Sequence, residues 1–254
     1  MFLFTAIAAF SFTASAHAAL VIGCWNSTRA GTTYNILDGT AYSGLRSSLV
    51  SSFPGATFSG AATLTGAYLS GVNLLIVQAI VDGANIPIST LTGAEQTALF
   101  DFVKNGGTAI IATENGLGYA AASASLVSPF GITDSGANLS GTQTCTITNP
   151  TGNPVTSGPY GTTSSLTYGF CGAYSAMGSY ATSIGTIGVL TGLAYIPKNA
   201  IQPGSGSVTF FSDTLSGVAP SNSLISNVAS TVPEPSATLL GLLGGFAMLA
   251  RRRR

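Results

Sequence analysis

Residues 91–116 read LTGAEQTALFDFVKNGGTAIIATENG, and this stretch decides the fold. Thr92 followed by Glu95 has the spacing of a capping box, which marks the N-terminus of a helix. Apolar residues then recur at helical spacing until a Gly-Gly pair ends the pattern. The next run, at 108–113, is short and apolar, as is typical of a buried strand. The first prediction is therefore a capped helix followed by a central strand.

Strands and helices alternate on both sides of this stretch. Apolar runs and helical spacings predict a strand at 19–25, a helix at 40–53, a short strand at 56–59, a central strand at 72–81 and a helix at 117–127. Such alternation requires parallel strands joined by crossover helices. The predicted fold class is α/β: a three-layer, doubly wound, mostly parallel sheet.

The pattern changes after residue 130, where short β-rich runs alternate with loops rich in Gly, Ser, Pro and Tyr. We predict strands at 144–148, 183–190, 194–197 and 207–212, and a short closing helix at 221–228. We expect this half to complete the same sheet and to add an irregular, β-rich and partly antiparallel flank.

The order LLIVQ, a capped helix ending FVKNGG, and TAIIATENG resembles the glutamine-amidotransferase-like, flavodoxin-like superfamily. The resemblance spans about residues 20–131, and 207–227 match the superfamily's final strand and helix. Catalytic members carry a G-x-C-x-G nucleophile elbow after a strand. Glu114 stands at the cysteine position in the matching segment, ATENG at 112–116. The resemblance thus implies a flavodoxin-like fold without amidotransferase or peptidase activity.

The two ends of the chain have the composition of targeting segments. Residues 2–12 form an apolar stretch, and the small and polar residues after it end in Ala-His-Ala at 16–18, which predicts a secretory signal peptide at 1–18. The tail begins with a helix-breaking motif, Pro233, Glu234 and Pro235. An apolar run follows at 236–250, and the chain ends in a basic cluster of Arg251, Arg252, Arg253 and Arg254. The run is short for a membrane span, and the arginines would hold its end in the cytoplasm.

This tail resembles the PEP-CTERM sorting signal of Gram-negative bacteria that make extracellular polysaccharide. The resemblance implies an exosortase-type protease as partner, transient anchoring in the inner membrane, and release to the cell surface or the exterior. An ordinary C-terminal anchor helix is the alternative. We expect a signal peptide at 1–18, an α/β domain at 19–228, a tether at 229–235 and a sorting segment at 236–254.

The charged residues of the body exclude several classes of function. Residues 19–231 hold four Lys or Arg and seven Asp or Glu, a net charge of −3. Nucleic acid is excluded as a partner because its binding depends on cations that neutralise phosphates. The chain's one histidine, His17, lies in the predicted signal peptide. The mature body therefore has no Ser-His-Asp or Cys-His arrangement and no histidine-ligated metal site.

Carboxylates after predicted strands are the candidate site. Glu114 and Asn115 follow the strand at 108–113, while Asp82 and Asp213 follow two others. Ligands bind at the carboxyl ends of strands in such sheets, where paired carboxylates suit metal binding or acid/base work on sugars. Two plainer interpretations remain: a polar loop that caps the next helix, and solvated loop carboxylates.

No metal or cofactor is predicted. The aspartates lack the close spacing of a calcium loop. Residues 116–121 fit G-x-G-x-x-A, but the acidic partner would be Asp134, near a loop, so the start of a helix explains this motif better.

Aromatic residues crowd the glycine-rich region 158–180, at Tyr160, Tyr168, Phe170, Tyr174 and Tyr180. Exposed tyrosines stack on sugars and donate hydrogen bonds, so one interpretation is a carbohydrate-contacting surface. Packing over a loop-rich flank is the other.

Three cysteines lie in the body: Cys24, Cys145 and Cys171. In an oxidising compartment the favoured pair is Cys145 with Cys171, because both flank one loop-rich segment whereas Cys24 belongs to a predicted central strand. The alternative is that all three are reduced.

Together these features predict a secreted or surface-sorted, non-catalytic structural or binding protein associated with an extracellular polysaccharide matrix. The alternative is a polysaccharide-binding or carbohydrate-active enzyme that uses the carboxylates at the edge of the sheet.

Overall fold

The structure is a computed structural model that describes residues 19–82, 86–215 and 221–232. Its strands are β1 Val21–Trp25, β2 Thr57–Ala61, β3 Leu74–Gln78, β4 Ile80–Val81, β5 Ile86–Pro87, β6 Thr108–Ala112, β7 Thr133–Asp134, β8 Gln143–Ile147, β9 Ser157–Gly158, β10 Gly161–Thr162, β11 Ser165–Tyr168, β12 Tyr174–Ala176, β13 Thr182–Ile187, β14 Leu190–Ile196 and β15 Val208–Phe211. Its helices are α1 Ser27–Ala30, α2 Ser43–Ser52, α3 Gly66–Leu69, α4 Gly93–Lys104, α5 Gly116–Val127 and α6 Ser221–Ser230, with 3₁₀ turns at Thr40–Tyr42 and Ser128–Phe130.

The predicted helix after Thr92 is confirmed. The Thr92 hydroxyl accepts the backbone N–H of Glu95 at 3.2 Å, and the Glu95 carboxylate accepts the backbone N–H of Thr92 at 2.9 Å. These two bonds satisfy N–H groups that the first turn of a helix leaves without partners. The helix ends at Lys104, before the Gly-Gly pair.

In the described residues, one mixed sheet of eleven strands forms the centre of the fold. Its main path runs β11-β8-β13-β14-β15-β6-β3-β1-β2, and β12 and β7 branch from β14. The five strands β2-β1-β3-β6-β15 pair in parallel, whereas the pairs that involve β14, β13, β8, β11, β12 and β7 are antiparallel. The five parallel strands have the strand order of a flavodoxin-like sheet.

The predicted three-layer, doubly wound, mostly parallel sheet is therefore wrong for the fold as a whole, which is only partly flavodoxin-like. Parallel pairing needs a crossover of a dozen or more residues. The link between β13 and β14 has only Gly188 and Val189, with Gly188 at φ +60°. A turn this short forces the two strands into antiparallel pairing. The antiparallel part is thus a main part of the sheet and not a flank.

Two apolar layers lie on opposite faces of the parallel strands. Along β3, Leu74 and Ile76 join a cluster with leucines of α2 and α6, while Leu75 and Val77 join a cluster with α3, α4 and α5. All five residues of β3 are buried. Burial on both faces explains why this strand reads as a continuous apolar run.

The strand predicted at 72–81 ends earlier than expected. β3 stops at Gln78, and Ile80–Val81 forms a separate two-stranded unit with Ile86–Pro87. The chain therefore leaves the main sheet at the carboxyl end of β3.

The three cysteines are buried free thiols, so the bridge predicted between Cys145 and Cys171 is not formed. Cys145 lies on β8, with its sulfur packed against Gly185 of β13, whereas Cys171 exchanges two backbone hydrogen bonds with Leu139. Cys145 and Cys171 thus belong to segments that pair with different parts of the chain. Burial raises the pKa of Cys24, Cys145 and Cys171 to about 12.

The predicted signal peptide and sorting tail lie outside the described residues. This holds for Pro233, Glu234, Pro235 and the four arginines. In the part of the chain that the structure describes, none of the helices has both the length and the apolar character needed to cross a bilayer.

Candidate functional site

Glu114 and Asp213 follow two neighbouring parallel strands. Ala112 of β6 pairs with Phe211 of β15, and each acidic residue stands two positions after its member of this pair. Neighbouring strands lie about 4.8 Å apart. The register therefore places both carboxyl groups together at the carboxyl edge of the sheet, which is one of the arrangements that the sequence allowed.

Both carboxyl groups line a cleft of about 590 Å³ at this edge. The loops after β1, β6, β11 and β15 contribute to its wall, with Tyr34, Glu114, Phe170 and Asp213. The carboxyl ends of strands are where open α/β sheets bind their ligands. This cleft is therefore the candidate site.

Glu114 is a buried acid with one oxygen left for a ligand. Its side chain is 5% exposed, and its Oε1 accepts from the backbone N–H and the side-chain amide of Asn115, both at 2.9 Å. Within the described ranges, no residue donates to Oε2. Burial, and then the charge of Asp213, raise the pKa of Glu114 to about 8. Glu114 is therefore mostly protonated at neutral pH.

Asp213 is held more tightly. Its Oδ2 accepts the Gly169 N–H at 2.8 Å, and its Oδ1 accepts the Thr214 N–H at 2.7 Å. Burial raises the pKa of Asp213 to about 6, although these hydrogen bonds act in the opposite direction. The cleft thus holds a neutral acid beside a mostly ionised carboxylate at pH 7.

Asn115 has a structural role that the sequence also allowed. Its side-chain oxygen accepts the Leu117 N–H at 2.9 Å and caps α5. Leu117 and Gly118 depart from helical geometry, with Gly118 at φ +83°. This kink leaves the Leu117 side chain 67% exposed at the wall of the cleft.

Asp82, predicted as a site residue, is not among the residues that line the cleft. Its carboxylate instead accepts backbone N–H groups of Thr33, Thr32 and Tyr34, and these bonds lower its pKa. Gln78 also donates to the Tyr34 carbonyl. Because β4 and β5 turn away from the sheet, Asp82 reaches the loop at 31–34 and not Glu114. It acts by fixing Tyr34 in the wall of the cleft.

The aromatic region is mostly core, which agrees with the packing interpretation of these residues and not with a sugar-contacting surface formed by the whole region. Tyr168 and Tyr174 are fully buried, while Tyr160 packs on Phe53 with ring centroids 5.4 Å apart. Tyr180 is partly buried against the core. Phe170 differs, because it is 61% exposed and lines the cleft.

Two tyrosines of the cleft were not predicted. Tyr119 is buried on α5, and burial followed by the charge of Glu114 raises its pKa to about 12. Tyr34 comes from the loop after α1. A signal existed for Tyr119, since it lies in the first turn after Glu114. The sequence held no such signal for Tyr34, because the position of Tyr34 depends on contacts with the distant residues Asp82 and Gln78.

Cations and metal ligands are scarce around this site. No Lys or Arg of the described ranges lines the cleft. Among the described residues, no group of three His, Cys, Asp or Glu side chains has the arrangement needed to hold a metal ion. What the cleft offers is two carboxyl groups, hydroxyl groups, two side-chain amides and exposed apolar surface.

No family model matches the chain, and no curated protein matches it. Among solved structures it is similar to the "mmIFT52 N-terminal domain", with 17% identity and a TM-score of 0.57, over 84% of this chain and 96% of that one. It is also similar to "Cytoplasmic Protein STM3548 from Salmonella typhimurium", with 14% identity and a TM-score of 0.55, over 85% of this chain and 99% of that one. Identities this low show the fold alone. Fold and site together define a mixed-sheet α/β protein with an acidic cleft.

Proposed function

We propose that the chain is an exported, surface-sorted, non-catalytic protein that binds extracellular polysaccharide in the cleft at Glu114 and Asp213. Export and sorting rest on the signal-like start and the Pro-Glu-Pro tail. The exposed Phe170 ring beside a polar cleft carries the binding part of the proposal. Sugar rings present apolar faces to aromatic side chains and hydroxyl groups to carboxylates.

Hydrogen bonding favours binding over catalysis. Both oxygens of Asp213 are already held by backbone N–H groups, so this carboxylate is a poor base or nucleophile. Glu114 keeps one oxygen for a ligand hydroxyl or amine. The Gly169 and Thr214 contacts hold Asp213, and the Asn115 contacts hold Glu114, before a ligand arrives.

A glycan array probed with the purified protein tests this function. Phe170→Ala should weaken binding about 3- to 10-fold, as expected for the loss of one stacking contact. Val50→Ala is the matched control, because Val50 is also an exposed apolar residue but lies on α2, outside the cleft. Absence of glycan binding by the wild type, or equal losses in both variants, would contradict the proposal.

A second candidate is a carbohydrate-active enzyme. The observation in its favour is that the pKa of Glu114 is raised to about 8 and that of Asp213 to about 6, since carboxyl groups with separated pKa values can divide the roles of acid and base. Release of reducing ends from polysaccharide by the wild type, lost in Glu114→Gln, would favour this candidate. Binding without release favours the first.

A further inference from the structure

The charges of the cleft are unbalanced. Glu114 and Asp213 share one wall, and none of the described cationic side chains lines the site. Arg29 already donates to Glu95 and to two carbonyl groups, and Arg46 donates to the carbonyls of Ile36 and Gly39. An anionic ligand would therefore meet repulsion without compensation, whereas a cation would find a partner that the protein does not supply.

Glu114 also has room for one more donor. It is 5% exposed, and both of its hydrogen bonds are made through Oε1, to Asn115. Its other oxygen lacks a donor in the described part of the chain. Because this oxygen is not among the buried side-chain atoms that lack a partner, it is accessible from the cleft, where a ligand group can donate to it.

We propose that the sugar unit seated at Glu114 and Asp213 carries a protonated amine, so that the cleft selects amino sugars over neutral or acetylated ones. This inference rests on the proposed polysaccharide-binding function and names its ligand class. An ammonium group donates three hydrogen bonds and carries the missing positive charge. An inorganic cation is a poorer fit, because the described residues supply no third His, Cys, Asp or Glu side chain beside the two carboxyl groups.

Binding of an ammonium group should also displace a proton. Glu114 is protonated at pH 6.5, since its pKa is raised to about 8. A positive charge beside it favours the ionised form, so its proton leaves as the ligand binds. A neutral sugar gives no such release.

Calorimetry on the purified protein at pH 6.5 tests the inference. The probes are hexamers of glucosamine, of N-acetylglucosamine and of glucose, measured in two buffers with different heats of ionisation. The glucosamine hexamer should bind at least tenfold more tightly than the other two, with release approaching one proton per site. Glu114→Gln should abolish that release and the preference for the amine. Asp101→Asn is the control, since it removes an exposed carboxylate from α4, outside the cleft.

The outcomes separate the two proposals. Equal affinity for the three hexamers contradicts amine selection and leaves polysaccharide binding in place. If the wild type prefers the glucosamine hexamer but releases no proton, Glu114 is not the group that pairs with the amine. This outcome is measured on the wild type, so it does not depend on whether Glu114→Gln folds. If none of the hexamers binds and the glycan array is also blank, both proposals are wrong.

Discussion

The guanidinium Nη1 of Arg29 lies 3.1 Å from Oε1 of Glu95, and this ion pair joins α1, just after β1, to the N-terminus of α4. Glu95 is 2% exposed and also accepts the backbone N–H groups of Thr92 and Leu64. The guanidinium carbon of Arg29 lies 4.8 Å from the centre of the Trp25 ring. One carboxylate therefore caps a helix and anchors the polypeptide that leaves the first central strand.

Removal of the Arg29 charge should destabilise the fold. Arg29→Met leaves the Glu95 carboxylate buried without its partner, and we expect a loss of about 3 kcal/mol in the free energy of unfolding. Arg29→Met combined with Glu95→Gln should recover part of that loss, because no unpaired charge remains. Urea unfolding curves of the single and double variants measure both. A single variant within about 0.5 kcal/mol of wild type, the usual range for a neutral surface substitution, would contradict the prediction.

Stability should fall as the pH rises from about 4.5 to 8. The pKa of Glu114 is about 8 in the folded chain and about 4.3 in an unfolded one. Between these values the unfolded chain loses this proton while the folded chain keeps it, so alkalinisation favours unfolding. Asp213, with its pKa raised to about 6, acts in the same direction over the lower part of this range.

The expected loss from Glu114 is on the order of 3 kcal/mol, since each unit of pKa difference corresponds to about 1.4 kcal/mol and the cleft is partly open to water. Unfolding midpoints at pH 5, 6.5 and 8 measure it. Glu114→Gln cannot titrate and should flatten the profile, whereas the exposed Asp101→Asn should leave it unchanged. A wild-type profile that rises over this range would contradict the prediction.

Sequence predicted those parts of the fold that depend on local signals. The capping box at Thr92 identified α4, and Glu114 and Asp213 were placed correctly because they directly follow strands that are apolar and buried. The antiparallel half depends on register between distant segments, such as Gly185 with Ile147, which no local pattern encodes. Tyr168 is buried, in agreement with the packing interpretation of the aromatic region. It alternates with exposed residues along β11, so the pleat directs its ring inward.

Gly172 should tolerate no side chain. A Cβ at this position would lie 2.6 Å from the backbone oxygen of Glu114. Neither of these two backbone segments can move without shifting the cleft. We expect Gly172→Ala to cost about 1–3 kcal/mol in stability, the usual range for overpacking, and to weaken ligand binding. Gly44→Ala is the matched control, because nothing lies within 4 Å of its Cβ position on α2.

The control should stabilise the protein by about 0.5–1 kcal/mol, since alanine favours a helix over glycine. Thermal unfolding of Gly172→Ala and Gly44→Ala measures both changes in stability. Similar stabilities for Gly172→Ala and Gly44→Ala would contradict the prediction, because they would show that the backbone around Glu114 can move to accommodate the added Cβ.

Asp82 should control the cleft without touching a ligand. Its carboxylate holds the N–H groups of Thr32, Thr33 and Tyr34, and the left-handed Gly31, at φ +71°, would place any Cβ 2.2 Å from that carboxyl group. In Asp82→Ala these N–H groups lose their acceptor, so amide hydrogen exchange at 32–34 should accelerate. Ligand affinity should fall severalfold, because Tyr34 is no longer fixed in the wall of the cleft.

The order of the loop at 32–34 should depend on pH and should be lost in strong acid. Backbone hydrogen bonds, first that of Thr33, lower the pKa of Asp82, so the loop keeps its order through mildly acidic pH and loses it only as the pH falls through that lowered value. Hydrogen exchange of the wild type at pH 5 and pH 3 should therefore differ at 32–34 once the intrinsic pH dependence of exchange is removed. Asp101→Ala serves as control for the loss of an exposed carboxylate. Unchanged exchange in Asp82→Ala would mean that Gln78, which donates to the Tyr34 carbonyl, holds the loop by itself.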